Sequence, residues 1–84
     1  MVGVKLQILL FGRVSDLLGR RIEAMIPEEG CTVGELRRLI CAQSGSEALL
    51  QKGVRASLDK QVAGEDAIVR PGAEVAFFSV FSGG

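Results

Sequence analysis

An α+β fold is predicted, a mixed sheet with one main amphipathic helix packed on one of its faces. Three observations predict it. Apolar segments of strand length lie near both ends of the chain, one well-capped helical pattern lies between them, and 84 residues leave room for one sheet and one covering helix.

The elements are read in order. Residues 5–11 carry enough apolar weight for a central strand, with Leu6, Ile8 and Leu10 on one face. Residues 14–18 read as a short helical turn closed by Gly19. Ile22, Ala24 and Ile26 alternate with Glu23 and Met25, the pattern of a half-buried strand, and Pro27 to Gly30 interrupt it.

Thr32-Val33-Gly34-Glu35 forms a capping box, in which the Thr32 hydroxyl accepts from the Glu35 amide and Glu35 reaches back. Cys31 precedes the cap and is placed to pair with Leu36 as a hydrophobic staple. Val33, Leu36, Leu39, Ile40 and Gln43 follow helical spacing, so they are expected on the core face. Ser44-Gly45-Ser46 ends the helix. Residues 54–58 read as a third strand, Pro71-Gly72 as a tight turn and residues 74–79 as a strongly apolar last strand. The expected division is a folded domain over residues 1–79 and a free tail over residues 80–84.

Composition narrows the function. Ten Lys and Arg balance ten Asp and Glu, and the basic residues occur as scattered pairs such as Arg20-Arg21 and Arg37-Arg38, so nucleic-acid binding is not expected. No apolar run reaches the roughly 18 residues of a membrane span, and the first residues lack the charged-then-apolar order of a signal peptide. A cytoplasmic protein with reduced thiols is the expectation. Cys31 and Cys41 have no CxxC spacing and the chain has no histidine, so a zinc site, a Cys–His pair and a Ser–His–Asp triad all lack their parts. Both cysteines read as small buried apolar groups. With no acid–base pair visible, a stand-alone enzyme is not expected.

The last segment is more specific. Glu74-Val75-Ala76-Phe77-Phe78-Ser79-Val80-Phe81-Ser82-Gly83-Gly84 resembles the ending of the molybdopterin synthase small subunit, a ubiquitin-related β-grasp sulfur carrier. Phe11-Gly12-Arg13-Val14-Ser15-Asp16-Leu17-Leu18-Gly19 resembles the segment after that family's first strand, and Thr32-Val33-Gly34-Glu35-Leu36 resembles its helix start. Four departures from the family pattern stand out. Ser79-Val80 stands where Pro-Pro is usual, Ser15 where an Arg is usual and Asp59 where an Asn is common, and Phe81 adds an apolar residue to a small, polar tail.

The resemblance implies a ubiquitin-like β-grasp fold and a function that resides in the Gly84 carboxylate. An E1-like enzyme would adenylate that carboxylate with ATP, and a sulfur donor protein would convert the acyl-adenylate to a thiocarboxylate. The thiocarboxylate would then donate sulfur to a pterin precursor held by the large subunit of the synthase, in a hetero-oligomer. No bound cofactor is implied, since the acyl-adenylate and thiocarboxylate are covalent states of Gly84. Sulfur carriage for thiamine, cysteine or tRNA thiolation, or a role as a ubiquitin-like protein modifier, are the alternatives within reach of the same tail.

The chemistry suits the residues. A terminal carboxyl titrates near 3.3–3.7, so at neutral pH it is an ionised, poor electrophile that needs activation. Gly83 and Gly84 lack Cβ and permit close approach in a narrow channel. Five residues reach at most about 17 Å when extended. Alternation adds a second feature. With Leu6, Ile8 and Leu10 inward, Leu9 and Phe11 point to the other face; with Val75 and Phe77 inward, so do Ala76 and Phe78. Leu9, Phe11 and Phe78, joined by Phe81, are therefore expected to form an exposed apolar patch near the tail, and these four with Ser82 are the expected partner-binding residues.

Overall fold

The computed structural model describes residues 3–79. Strand β1 (Gly3–Phe11) is followed by a short helix α1 (Arg13–Leu18), β2 (Arg21–Pro27) and a two-residue β3 (Cys31–Thr32). The main helix α2 (Val33–Ser44) leads through a 3-10 turn (Ala48–Leu50) to β4 (Val54–Leu58), β5 (Gln61–Ala63), β6 (Ile68–Val69) and β7 (Val75–Ser79). The main sheet runs β2-β1-β7-β4-β5, and β3 pairs with β6 as a separate small ladder. Only the β1–β7 pairing in the main sheet is parallel, so the sheet is mixed. One main helix over such a sheet, with first and last strands side by side at its centre, is the β-grasp arrangement.

Local chemistry explains the elements. The capping box closes at both ends: the Glu35 amide donates to Thr32 Oγ1 at 3.1 Å, and the Thr32 amide donates to Glu35 Oε1 at 2.8 Å. The next two free amides of α2, of Val33 and Gly34, donate to the carbonyls of Ala67 and Glu65, each at 3.0 Å. Gly45 ends the helix in the left-handed region, φ 74°, where an L side chain is disfavoured. Pro71-Gly72 forms the expected turn, with the Ala73 amide donating to the Arg70 carbonyl at 3.0 Å and Gly72 at φ 91°, the type II geometry.

The core lies between sheet and α2. Leu6, Ile8 and Leu10 of β1, Ala24 and Ile26 of β2, and Val75 and Phe77 of β7 face Val33, Leu36 and Ile40 of the helix. Cys31 and Leu36 both belong to the buried cluster.

Several details differ from the sequence reading. The first strand begins at Gly3 rather than Lys5, and the last at Val75 rather than Glu74. Strands β3, β5 and β6 were not expected, because two or three residues are too few to show a period. Strand β5 follows a two-residue hairpin turn at Asp59 and Lys60, both with positive φ (50° and 73°), made without the usual Gly. Gln43 does not join the core. It is exposed, and its amide exchanges two 3.0 Å hydrogen bonds with the backbone of Met25, Nε2 to the carbonyl and the N–H to Oε1. A primary amide thus imitates a neighbouring strand along the outer edge of β2.

Candidate docking face and the root of the tail

Alternation along β1 and β7 sorts their side chains between core and open face. The two strands pair Leu9 with Ala76, Leu10 with Phe77, and Phe11 with Phe78. Leu10 and Phe77 are fully buried under α2. Phe11, on the opposite face, is 55% exposed, and Leu9 and Phe78 beside it are half-buried. Ala76 shares that face in register but is buried: a single methyl between Leu9 and Ser57 on the flanking strands does not rise above its neighbours. Val62 of β5, opposite Ser57, extends the row and is exposed. Leu9, Phe11 and Phe78 therefore lie together on one open face, whereas Phe81, Ser82, Gly83 and Gly84 lie outside the described residues.

Two arginines border these side chains. Arg55 of β4 is directly opposite Phe78, and Arg21 of β2 is directly opposite Leu9. A shallow concavity of about 390 Å³ beside Phe11 is lined by Leu9, Gly12, Ser15, Arg20 and Arg21 among others.

Gly12 fixes the corner where the chain turns out of β1, beside the end of β7. It has φ 75°, and a Cβ added there would stand 3.3 Å from the Ser79 Cβ, so the chain after β1 passes close against the last described residue. Ser15 folds back on the start of its own helix: its hydroxyl donates to the Gly12 carbonyl at 2.7 Å.

Sequence reasoning missed Arg37. It lies mid-helix on α2 yet is buried, with Nη1 donating to the Leu49 carbonyl at 2.7 Å and Nη2 to the Val54 carbonyl at 2.8 Å. Its Nε and Nη2 also meet Glu65 Oε2, at 3.0 and 2.9 Å. The one available signal was its spacing: Val33, Arg37 and Ile40 share a helical stripe.

Cys31 is buried in the core cluster as expected, whereas Cys41 is only half-buried and lies outside it. Burial, with the Glu35 charge adding to it, pushes the Cys31 thiol above its ordinary value. Burial, then Glu47, does the same for Cys41. Among the described residues no three His, Cys, Asp or Glu side chains gather as metal ligands, and no helix is long and apolar enough to cross a membrane.

Comparison with known proteins agrees with this architecture. Small archaeal modifier protein 1 of Haloferax volcanii superposes with a TM-score of 0.75 at 18% identity, covering 94% of this chain and 100% of that one. A Pyrococcus furiosus protein assigned as molybdopterin converting factor, subunit 1, superposes with a TM-score of 0.75 at 21% identity, covering 93% and 99%. The ubiquitin of Caldiarchaeum subterraneum gives a TM-score of 0.60 at 18% identity, covering 99% and 100%. At these identities the likeness establishes the ubiquitin-like fold. No curated protein sequence matches the chain. The sequence profile of the ThiS family matches residues 8–84, which include β7, the side chains of Leu9, Phe11 and Phe78 on the open face, and the terminal Gly-Gly, and the chain belongs to the ThiS family.

Proposed function

We propose that this protein is a sulfur carrier and the small subunit of a molybdopterin synthase, with Gly84 as its reactive residue. The observation that carries the reading is the position of β7. This central strand presents Phe78 on the open face, and two residues later begins the segment ending in Gly83-Gly84. One strand thus serves both docking and delivery.

In this mechanism the folded domain binds a partner through Leu9, Phe11 and Phe78, with Phe81 and Ser82 following the tail inward. The Gly84 carboxylate attacks the α-phosphorus of ATP on an E1-like enzyme and releases pyrophosphate. A sulfur donor protein supplies sulfide, which displaces AMP from the acyl carbon. The thiocarboxylate is anionic and nucleophilic near neutral pH, and on the large subunit it transfers sulfur to a pterin precursor. The carrier supplies one group and the partners supply the pockets.

The test is intact mass after incubation with ATP, sulfide and the activating enzyme, where replacement of oxygen by sulfur adds about 16 Da at the C-terminus. Deleting Gly84, or adding a residue after it, is expected to abolish loading at unchanged melting temperature. Retained loading in either variant would sink the reading. A second reading, as a protein modifier, has one observation in its favour: the archaeal modifier superposes as well as the converting-factor subunit does. It requires isopeptide conjugates with lysines of other proteins, which an immunoblot under denaturing conditions would display.

A further inference from the structure

The sheet face that carries Leu9, Phe11 and Phe78 is not electrically neutral, although the whole chain is. Alternation puts Lys5 on it from β1, Arg21 and Glu23 from β2, and Arg55 from β4, three cations against one carboxylate. Arg21, Glu23, Lys5 and Arg55 are all exposed, and the one ion pair among the described residues, Arg37–Glu65, lies elsewhere. The two arginines bracket the apolar patch, Arg21 beside Leu9 and Arg55 beside Phe78.

We propose that Arg21 and Arg55 are specificity determinants for docking of the activating enzyme, which seats the apolar patch in a socket carrying carboxylates opposite both guanidiniums. The proposal rests on the sulfur-carrier reading above. An apolar patch alone discriminates poorly between partners, while fixed charges at its borders reject surfaces of like sign and steer the encounter. A guanidinium presents a planar fork that matches a carboxylate in two hydrogen bonds, a geometry that an ammonium cannot reproduce. A phosphate does not fit as the common ligand. Arg21 and Arg55 stand on strands three places apart in the sheet, roughly 14 Å at about 4.8 Å per strand, and an aromatic row lies between them. Nucleic acid is also disfavoured, since the face has only three cations and an apolar centre.

The experiment measures kcat/KM for sulfur loading of this carrier by the purified activating enzyme, read by intact mass, at about 50 mM and about 300 mM salt. The wild-type value is expected to fall with salt. Arg21→Glu with Arg55→Glu is expected to lower kcat/KM by roughly tenfold or more at low salt, to flatten the salt dependence, and to leave kcat at saturation unchanged. The double Gln variant should lose less and the double Lys variant least, and both guard against a folding defect in the Glu pair. Arg38→Glu makes the same type of charge reversal at an exposed position of α2, behind the sheet, and should stay within about twofold. A double Glu variant that loads like the wild type, or loses no more than Arg38→Glu, overturns the proposal and leaves the carrier reading standing. A wild-type protein that gains no sulfur overturns both.

Discussion

The guanidinium of Arg37 lies 5.3 Å from the centre of the Phe77 ring, so a charged helix residue stacks on the most deeply buried aromatic of the last strand. Its hydrogen bonds reach the 3-10 turn at Leu49, the start of β4 at Val54, and Glu65 ahead of β6. One side chain therefore joins α2 to the 3-10 turn, to the segment before β6, and to the paired strands β4 and β7.

Removing Arg37 should consequently be expensive. Arg37→Ala strands the Leu49 and Val54 carbonyls, and an unsatisfied buried group costs about 1–3 kcal/mol. A loss of about 3 kcal/mol corresponds to a fall in Tm on the order of 12 °C or more for a domain of this size. Glu65→Gln should cost under about 1 kcal/mol, because the Glu65 side chain is 56% exposed and its pair with Arg37 is partly screened. Thermal melts of the two variants compare the carbonyl bonds with the ion pair; equal shifts would show that the ion pair dominates.

Phe77 and Phe78 are adjacent in sequence and opposite in consequence. Phe77→Ala opens the core and is expected to cost about 3–5 kcal/mol, enough to unfold much of so small a domain. Phe78→Ala acts on a half-buried side chain on the open face, so it should fold and bind the activating enzyme about tenfold more weakly. Melting temperature and partner affinity measured on both variants decide the matter. A folded Phe77→Ala beside an unfolded Phe78→Ala would contradict the register.

Gly30 has no room for a side chain. Its φ is 92°, and an added Cβ would stand 2.5 Å from the Val69 carbonyl oxygen across the small β3–β6 ladder. Gly30→Ala should cost about 2 kcal/mol or more, since both the backbone and the ladder must shift. Gly45→Ala is the comparison: φ is also positive, but nothing lies within 4 Å, so roughly 1 kcal/mol is expected. Chemical denaturation of the pair separates the steric cost from the conformational one, and equal losses would refute the steric part.

Both thiols should be poor nucleophiles. Burial raises each above the ordinary thiol range, so the thiolate is scarce at neutral pH and becomes available only as pH rises past the value for a free cysteine. Iodoacetamide should label Cys41, which is half-buried, before the buried Cys31, and both more slowly than a model thiol at pH 7–8. Cys31→Ser and Cys41→Ser should retain sulfur loading; loss in a variant that stays folded would give a cysteine a chemical role.

What the sequence revealed followed the range of the underlying physics. The Thr32–Glu35 cap, the Gly45 stop and the Pro71-Gly72 turn are set within a few residues, and each was legible. The shared face of Leu9, Phe11 and Phe78 was legible too, because period two fixes sides once the core face is known. The burial of Ala76 was not, since it depends on the height of side chains on other strands. Arg37 and Gln43 were misjudged for one reason. A polar residue on a helix reads as solvated, or follows its stripe, until the backbone groups it satisfies are in place, and those belong to segments distant in sequence. The Asp59-Lys60 turn gave no signal because two non-glycine residues take up positive φ there. The Asp59 side chain helps to hold it, accepting from the Glu74 amide at 3.0 Å.

The parallel pairing of β1 with β7 also governs how the molecule comes into being. These neighbours at the centre of the sheet are separated by nearly the whole described chain, so closing that ladder requires a large loop entropy loss before any contact offsets it. Until β7 inserts, β1 and β4 each have an open edge and Phe77 has no core to enter. Folding is thus expected to be slow and all-or-none for a domain of this length, with β7 among its late events. A chain halted partway would have neither the aromatic row nor a correctly anchored end to offer an activating enzyme. On the sulfur-carrier reading, the topology would then act as an inspection step, because Gly84 would be offered only by a molecule whose first and last strands have already met.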